Sequence, residues 1–420
     1  MTPAARIQAV IEILADIIAT PRPADTLTSA YFRARRFIGS KDRQAISTRL
    51  YRIMREYHRL CWWVVRDGAA VDARTLTIAA VILDKEHSAA SIDSAFSGAL
   101  YAPAPLSDAE RKLALFLQGK SLEPEDMPLR EKLECPAWAY NSLQAALSDE
   151  FEAELRAMLT QAPLDLRVNT IKATRDQVLQ ELQEDGFDAH AGKISPYAIR
   201  LYGRPQIISH PVFKGGYVEI QDEGSQMVAV MADAKPGEQV VDFCAGAGGK
   251  TLALAASMNN KGRIIAMDVL GGRLLRAKER FRRAGVHNIE TRQLTSARDK
   301  YVKRHQGAFD LVLVDAPCSG TGTWRRDPDK RWRQLGPGLV SLVPLQKEIL
   351  DSAHRMVKPG GRLVYATCSL LPEENEMQME EFLAAHPEFS RKGQDMKLSP
   401  ARHDTDGFYA AVLVRKAVLA

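Results

Sequence analysis

The stretch VVDFCAGAGGKT at residues 240–251 decides the fold class, because an apolar run of strand length passes through a glycine-rich turn into a helical pattern. Gly246, Gly248 and Gly249 let the backbone approach a ligand closely and present helix N-terminal amides to it. Asp268 closes the next apolar run, nineteen positions after Gly249. A carboxylate there can accept hydrogen bonds from ribose hydroxyls. This pairing predicts a site for a cofactor that contains a nucleoside.

The alternation of strand and helix continues through the C-terminal half of the chain. It predicts an α/β fold with a parallel, doubly wound sheet, in which ligands bind at the carboxyl ends of the strands. The predicted strands are Val240–Phe243, Arg263–Met267, Ile289–Leu294, Phe309–Val314 and Arg362–Thr367, and the predicted helices include Thr251–Met258, Gly272–Ala284 and Leu342–Met356.

The sequence GGKT at 248–251 also invites comparison with the phosphate-binding loop of NTPases, and LVLVD at 311–315 imitates their metal-binding strand. That loop, however, needs glycine at position 244, where this chain has Cys244. The turn is therefore too short to cradle phosphates, which argues against an NTPase.

Two cysteines follow neighbouring predicted strands. Cys318 comes three residues after Asp315, which ends the fourth strand, and Cys368 follows the fifth strand. Because the carboxyl ends of parallel strands meet at one rim of the sheet, we expect both thiols at the ligand-binding edge. A thiolate is a strong nucleophile, and a few per cent of an ordinary thiol, with a pKa of about 8.5, is ionised near neutral pH. The two residues are therefore candidate nucleophiles.

The N-terminal part of the chain has a different pattern. From Ile7 to about Gly119 apolar residues recur at helical spacing, which predicts an all-α domain. The polar segment 121–131 carries two prolines and predicts a linker. Two short strand patterns then flank a helical run at Arg175–Leu182 and predict a small α+β subdomain. We therefore expect three domains, with the boundaries 1–125, 126–209 and 210–420.

The composition, with 45% hydrophobic and 26% charged residues, is that of a globular protein. Glu12 and Asp16 interrupt the apolar N-terminus, and the other apolar runs are too short to span a bilayer, so we expect a cytoplasmic protein without membrane contact. The five cysteines are scattered singly, so we expect reduced thiols and no metal. The expected oligomeric state is a monomer.

The net charge is only +5, but the basic residues are clustered and have tyrosines and tryptophans among them. Such clusters suit a polyanion, and a solvated helix face is the alternative interpretation. The first cluster contains Arg33, Arg35, Arg36, Lys41, Arg43, Arg49, Arg52, Arg55 and Arg59, the second contains Arg273, Arg276, Lys278, Arg280, Arg282 and Arg283, and the third contains Arg325, Arg326, Lys330, Arg331 and Arg333.

Several motifs together resemble the Sun/RsmB-type RNA (cytosine-C5) methyltransferases, which use S-adenosylmethionine. The two cysteine motifs are together very specific for that family. In addition, residues 42–64 resemble the NusB-like RNA-binding domain of the bacterial ribosomal members. The motifs are LRVNTIK at 166–172, VEIQDEGSQ at 218–226, DFCAGAGGKT at 242–251, DAPCSGTGTWRRDPDKRW at 315–332, YATCSLLPEENE at 365–376 and DGFYAAVLVRK at 406–416.

The resemblance implies a Rossmann-like methyltransferase sheet and methylation of a cytosine in RNA, with ribosomal RNA as the first expectation. It implies that Cys368 adds to C6 of the base and that Cys318 assists release of the methylated base. Asp315 and Lys250 would hold the edge of the base. The residues that the resemblance implies in cofactor binding are Cys244, Ala245, Gly246, Ala247, Gly248, Gly249, Lys250, Asp268 and Asp315.

Two positions depart from the family pattern. Gly246-Ala247 stands where the family usually has Ala-Pro, which a tight turn tolerates, and the acidic residue that often follows the third strand is missing near Thr295 and Ser296. The second departure leaves the adenine contact open. The motifs do not identify the RNA, so the same chemistry on transfer RNA stays an alternative, as does an inactive ribosome-assembly or RNA-binding factor. The intact cysteines and lysine argue against an inactive factor.

Overall fold

The computed structural model of the chain describes residues 1–203, 205–333 and 335–417. In this part of the chain, no helix has the length and apolar character that crossing a membrane requires. The described residues form two compact units. One combines those of Met1–Thr160 and Trp324–Gly336, and the other combines those of Gln161–Thr323 and Pro337–Ala420.

The first unit is helical, which confirms the prediction of an all-α N-terminal region. Three of its helices begin at side-chain caps, as where the Thr2 hydroxyl accepts a hydrogen bond from Ala5 N and Asp72 accepts one from Thr75 N. Almost every side chain of α5 is buried, so the other helices pack around it. The helices are α1 Pro3–Ala19, α2 Ala24–Ala34, α3 Ser40–Arg55, α4 Tyr57–Asp67, α5 Ala73–Leu83, α6 Asp108–Leu117, α7 Leu129–Lys132, α8 Ala137–Leu147 and α9 Phe151–Ala157.

Compactness groups the residues differently from the three expected domains. Helices α7 to α9 lie beyond residue 125 but belong to the helical unit, as does the segment 324–336 from the C-terminal half. The boundaries 1–125, 126–209 and 210–420 stay a prediction.

The second unit begins with a small antiparallel sheet, which includes both strands predicted for the α+β subdomain. The predicted helix packs against this sheet. The strand order is β2-β3-β1-β4, and its apolar face packs on the helices. The elements are β1 Leu164–Val168, α10 Arg175–Glu184, β2 Ala189–Ala191, β3 Ala198–Leu201, α11 Pro211–Lys214 and β4 Val218–Ile220.

The large sheet carries the strand ends that the sequence singled out. Its order is β10-β12-β9-β8-β5-β6-β7, with β11 paired to β12, and the five predicted strands form the parallel part β7-β6-β5-β8-β9. The strands are β5 Gln239–Asp242, β6 Arg263–Asp268, β7 Ile289–Gln293, β8 Phe309–Asp315, β9 Val357–Thr367, β10 Phe389–Arg391, β11 Met396–Leu398 and β12 Phe408–Arg415. The helices of this part are α12 Glu223–Ala232, α13 Gly249–Ser257, α14 Gly271–Ala284, α15 Lys300–Arg304, α16 Leu339–Ala353, α17 Glu376–Ala385 and α18 Pro400–His403.

The predicted parallel sheet is confirmed for its five strands, and an antiparallel edge that the sequence analysis did not predict extends it. β12 runs antiparallel to β9, and β10 and β11 run antiparallel to β12. The closing motif forms β12 and has the continuous apolar character of a strand covered on both faces. Strand direction depends on how the chain returns to the sheet, and an apolar run carries no signal for it.

Candidate active site

The glycine-rich turn after β5 requires glycine at two of its three glycine positions. Gly246 and Gly248 have φ angles of 55° and 78°, in the left-handed region that favours glycine. A Cβ atom at Gly248 would lie 2.5 Å from Cε1 of Phe281. A Cβ at Gly249 would meet nothing closer than 3.6 Å, so this third glycine is not required by space. The turn therefore keeps the backbone low enough for a ligand to lie on it.

Two arginines brace this turn, Arg167 buried and Arg280 half-buried, and the sequence analysis did not assign them this role. Arg280 on α14 donates to the carbonyl of Ala247 over 2.7 Å, and Arg167 on β1 donates to that of Gly249 over 2.6 Å. Glu219 on β4 pairs with Arg280 at 2.9 Å. For Arg167 and Glu219 the available signal was a charged residue inside a short, otherwise apolar strand, because such groups are seldom buried without a partner.

Asp268 ends β6 and accepts two backbone hydrogen bonds. Its Oδ2 accepts from Gly246 N over 2.9 Å and its Oδ1 from Leu270 N over 2.7 Å. Each carboxylate oxygen keeps a further lone pair, so ribose hydroxyls can still donate to it. Asp268 therefore orients the turn and has the acceptors that a nucleoside needs.

Asp242, the last residue of β5 before the turn, has a buried carboxyl group. Asp242 accepts from the Thr251 hydroxyl over 2.6 Å, and burial raises the pKa of Asp242 to about 7. Its second oxygen, Oδ1, is buried and has no hydrogen-bond partner among the described residues. Burial and the nearby carboxylates raise the pKa of Cys244 well above its ordinary value, so this thiol is neutral. An unpaired acceptor beside the glycines fits a ligand with N–H or O–H donors.

The two candidate nucleophiles do converge on one rim. The Sγ atoms of Cys318 and Cys368 lie 3.3 Å apart, although the residues are 50 positions apart in the sequence. Beside them, Lys250 Nζ lies 2.6 Å from Asp315 Oδ2. The Lys250 side chain is 9% exposed and that of Asp315 is 30% exposed, so the carboxylate is the more accessible partner. Cys318, Cys368, Lys250 and Asp315 are the four residues that the sequence analysis named as candidate catalytic residues.

The charges around the two thiols differ. Although burial lowers it, the charges of Asp315 and Cys368 raise the pKa of Lys250 above its ordinary value, so the ammonium persists at neutral pH. Contact with Cys368 and burial raise the pKa of Cys318 well above its ordinary value, and the charge of Glu374 adds to this. Cys368 therefore has a cation as neighbour, whereas Cys318 has a carboxylate.

The loops that carry the thiols are tied to each other and to the closing motif. Gly322 N donates to the carbonyl of Cys368 over 3.0 Å, and Thr321 Oγ1 accepts from Leu370 N over 2.9 Å. A Cβ at Gly322 would lie 2.3 Å from the carbonyl oxygen of Gly407. The close approach of these two glycines explains why the closing motif begins with Asp-Gly.

An acidic side chain does lie at the end of β7, where the sequence showed none. Asp299, four residues beyond Thr295, accepts from Thr295 N over 3.0 Å and from its hydroxyl over 2.9 Å. These and the bond from Tyr301 N lower the pKa of Asp299. The chain folds back after β7, which sequence spacing did not indicate.

Most side chains of the first basic cluster contact other residues of the helical unit. Arg33, Arg36 and Lys41 are exposed and have no acidic partner among the described residues, and the Phe37 side chain beside them is 76% exposed. Six of the nine basic side chains contact acidic groups or carbonyls of the unit: Arg35, Arg43, Arg49, Arg52, Arg55 and Arg59.

The expectation that the third cluster binds a polyanion was wrong for its arginines at 331 and 333. Arg331 is 2% exposed and donates to the carbonyl of Met158 over 2.6 Å, and Arg333 donates to that of Arg22 over 2.7 Å. Trp332 between them stacks on Tyr57, with ring centroids 3.9 Å apart. The segment is part of the helical unit, where Arg331 satisfies a buried carbonyl.

The second cluster is divided by the helical period of α14. Arg280 and Arg283 face inward and pair with Glu219. The remaining side chains are exposed: Arg273, Arg276, Lys278 and Arg282. The exposed face is available to a polyanion.

A group of possible metal ligands lies away from the thiols. Ligand atoms of His354, His386 and Glu388 lie within 4.8 Å of one another. His354 Nδ1 bonds to the carbonyl of Leu350, and His386 contacts Asp351 and Glu388. These hydrogen bonds and ion pairs are sufficient to explain why the three side chains lie together.

Comparison with known proteins identifies the family. A ribosomal RNA small subunit methyltransferase B from Vibrio vulnificus is 35% identical over 67% of this chain and 67% of its own length, and one from Proteus mirabilis is 34% identical over 67% and 66%. The chain belongs to the RsmB/F methyltransferase family. The family model for 16S rRNA methyltransferase RsmB/F matches residues 229–414, and that for the ferredoxin-like domain of the RsmF/B-like enzymes matches 135–207.

Solved structures show the same fold. The crystal structure of PH0851 superimposes with a TM-score of 0.81, at 28% identity, over 98% of this chain and 99% of that one. A methyltransferase homolog from Pyrococcus horikoshii gives 0.61 at 28% identity, over 70% of this chain and 99% of its own. The protein is thus an enzyme of an S-adenosylmethionine-dependent RNA methyltransferase family with a Rossmann-like catalytic sheet.

Proposed function

We propose that this enzyme transfers a methyl group from S-adenosylmethionine to C5 of a cytosine in ribosomal RNA through a covalent cysteine adduct at C6. The observation that carries the proposal is the pair of thiols 3.3 Å apart beside the Lys250–Asp315 ion pair. Relatives named ribosomal RNA small subunit methyltransferase B support ribosomal RNA as the substrate.

The chemistry explains the need for a thiol. C5 of cytosine is a poor nucleophile, and addition of a thiolate to C6 makes the ring enamine-like, so that C5 can attack an electrophilic methyl group. S-adenosylmethionine, when bound, supplies that methyl group. The turn 244–250, with Asp268 for the ribose hydroxyls, fits its nucleoside, and the unpaired Oδ1 of Asp242 offers an acceptor for a donor group.

We assign the addition to Cys368. The Lys250 ammonium lies beside it and favours its thiolate, whereas contact with Cys368 and the carboxylate of Glu374 disfavour the thiolate of Cys318. When two thiols share one site, only one ionises readily. Cys368 is therefore the thiol that adds to the base.

Release then falls to Cys318. Once Cys368 is bonded to C6, it no longer carries charge, so the main cause of the raised pKa of Cys318 disappears. Cys318 loses its proton to solvent, and its thiolate takes the proton from C5. The C5–H electron pair forms the C5–C6 double bond, and the C6–S bond breaks to return Cys368 as a thiolate. The raised pKa of one thiol thus orders the two steps.

Asp315 and Lys250 are positioned to hold the base. The Asp315 carboxyl is the more exposed member of the pair, and we assign it to the edge of cytosine near N3, where it neutralises charge that develops in the ring. Lys250 Nζ also lies 5.2 Å from the centroid of the Phe408 ring, which helps to fix the ammonium.

We assign RNA contacts outside the catalytic rim to two exposed basic surfaces. In the helical unit these are Arg33, Arg36 and Lys41 with Phe37, and on α14 they are the exposed side chains of the second cluster. Cations bind phosphates, and an exposed aromatic ring can stack on an unpaired base. We further propose that the enzyme acts as a monomer in the cytoplasm, with transfer RNA as the alternative substrate.

The two cysteine variants test this function. Purified protein is incubated with labelled S-adenosylmethionine and either ribosomal or transfer RNA, and covalent adducts are resolved on a denaturing gel. We expect Cys368→Ala to lose methyl transfer and Cys318→Ala to accumulate a nuclease-sensitive adduct that the double variant lacks. An adduct in Cys368→Ala that vanishes in Cys318→Ala would reverse the two roles. Label in transfer RNA alone would contradict the ribosomal substrate.

A further inference from the structure

Glu374 and Gln346 hold the backbone on both sides of Cys318. The Ser319 N–H, directly after the cysteine, donates to Glu374 Oε1 over 2.8 Å, and the Ser319 hydroxyl donates to Glu374 Oε2. The carbonyl of Pro317, directly before it, accepts from Gln346 Nε2 over 3.0 Å. Gln346 Nε2 also donates to Glu374 Oε1 over 3.0 Å, which joins the two contacts. We call these two side chains the Glu374–Gln346 clamp.

The clamp is an unusual use of a charged residue. Glu374 and Gln346 are both fully buried, and Glu374 forms no ion pair with a lysine or arginine among the described residues. Its two oxygens are held by the Ser319 N–H, the Ser319 hydroxyl and the Gln346 amide. The neighbours of the Gln346 nitrogen are both acceptors, which fixes the orientation of that amide. A buried charge is costly, so its retention calls for a structural or functional gain.

The anchoring of the clamp is rigid. Glu374 belongs to the short turn Pro372–Glu374 after β9, and its own carbonyl accepts from the Tyr365 hydroxyl over 2.7 Å. Gln346 lies in the middle of α16. The loop of Cys368 uses other contacts: Gly322 N donates to the Cys368 carbonyl, and Asn375 Nδ2 donates to that of Ser369 over 2.9 Å. The clamp contacts the backbone on both sides of Cys318 directly, whereas it reaches the loop of Cys368 through the contact of 3.2 Å between the Ser319 and Ser369 hydroxyls.

We infer that the Glu374–Gln346 clamp positions Cys318 for the release step, which makes both residues positioning residues that act through the second thiol. This inference rests on the proposed function, because it takes the release role of Cys318 from there. The clamp fixes the backbone atoms on either side of the thiol, so the sulfur stays at the face from which the C5 proton leaves. A displacement of a reacting group by a fraction of an ångström is enough to slow such a step.

The test compares Glu374→Gln with the wild-type enzyme in three measurements: single-turnover methyl transfer, steady-state turnover, and the fraction of protein held in the RNA adduct. In Glu374→Gln the amide oxygen can replace Oε1 as the acceptor for Ser319 N and Gln346 Nε2, but the amide nitrogen at the place of Oε2 cannot accept from the Ser319 hydroxyl. We expect steady-state turnover to fall about tenfold, which corresponds to one lost charge-assisted hydrogen bond, with single-turnover transfer nearly unchanged. The adduct should accumulate, as in Cys318→Ala.

A double variant distinguishes positioning from general damage. If Glu374 acts through Cys318, Glu374→Gln should not lengthen the adduct lifetime further in the Cys318→Ala background. Gln346→Met, which keeps the chain length without the amide, should show the same kind of defect if Glu374→Gln fails to fold. Glu380→Gln, an exposed position on α17, is the matched control and should behave as the wild type.

The outcomes separate this inference from the proposed function. Equal loss of single-turnover and steady-state rates without adduct, or no effect of either clamp variant, would overturn the clamp while leaving the function intact. Failure of the wild type to methylate RNA, or an active Cys368→Ala, would overturn the function itself.

Discussion

Replacement of Asp268 by alanine should separate the two tasks that the structure gives to this carboxylate. Asp268 accepts from Gly246 N over 2.9 Å and from Leu270 N over 2.7 Å, and the ribose of the cofactor is assigned to its remaining lone pairs. Hydrogen bonds to a charged acceptor contribute about 1.5–3 kcal/mol. Loss of the ribose contact should therefore weaken S-adenosylmethionine binding about tenfold to a hundredfold. Isothermal titration calorimetry measures this change directly.

The same substitution leaves two backbone N–H groups without their acceptor, which should destabilise the second unit by about 1–3 kcal/mol for each group. Asp72→Ala is the matched control, because Asp72 also accepts from two backbone N–H groups, those of Arg74 and Thr75, each over 2.8 Å. The control should lower the melting temperature without changing the dissociation constant of the cofactor. A lower melting temperature in Asp268→Ala with an unchanged dissociation constant would refute the reasoning and place the ribose elsewhere.

Three further predictions follow from the contacts described above. Lys250→Met should slow formation of the RNA adduct at least about tenfold, because the Cys368 thiolate loses its neighbouring cation. Single-turnover assays on a denaturing gel measure this rate. The contribution of Asp242 to the free energy of unfolding should fall as pH rises from about 4 to 7, by at most about 1.4 kcal/mol per pH unit, because unfolded Asp242 releases its proton at lower pH than the folded group. Chemical unfolding of the wild type and of Asp242→Asn across this pH range isolates the component, which the variant should lack. Arg36→Glu should reduce RNA affinity and flatten its salt dependence, whereas Trp332→Ala should lower stability and leave the salt slope unchanged, as filter binding at several salt concentrations will show.

Local sequence patterns were enough to predict several parts of this protein. The apolar runs and the turn at 244–250 predicted the parallel strands and the cofactor edge, because strand length and positive-φ glycines are properties of a few consecutive residues. The positions of Cys318 and Cys368 directly after strands predicted that the thiols meet, since parallel strands end at one rim. The motifs also indicated the family to which the chain belongs.

Tertiary structure decided whatever depends on residues far apart in the chain. The braces Arg167 and Arg280, and the clamp on Cys318, join elements that no local pattern connects. Composition also could not predict whether a basic residue is exposed or donates hydrogen bonds inside the protein, because Arg331 is buried and Arg36 is exposed. An arginine is the same residue in the sequence whether it is buried or exposed. Only the packing of the chain determines whether its guanidinium group contacts water, a carbonyl or RNA.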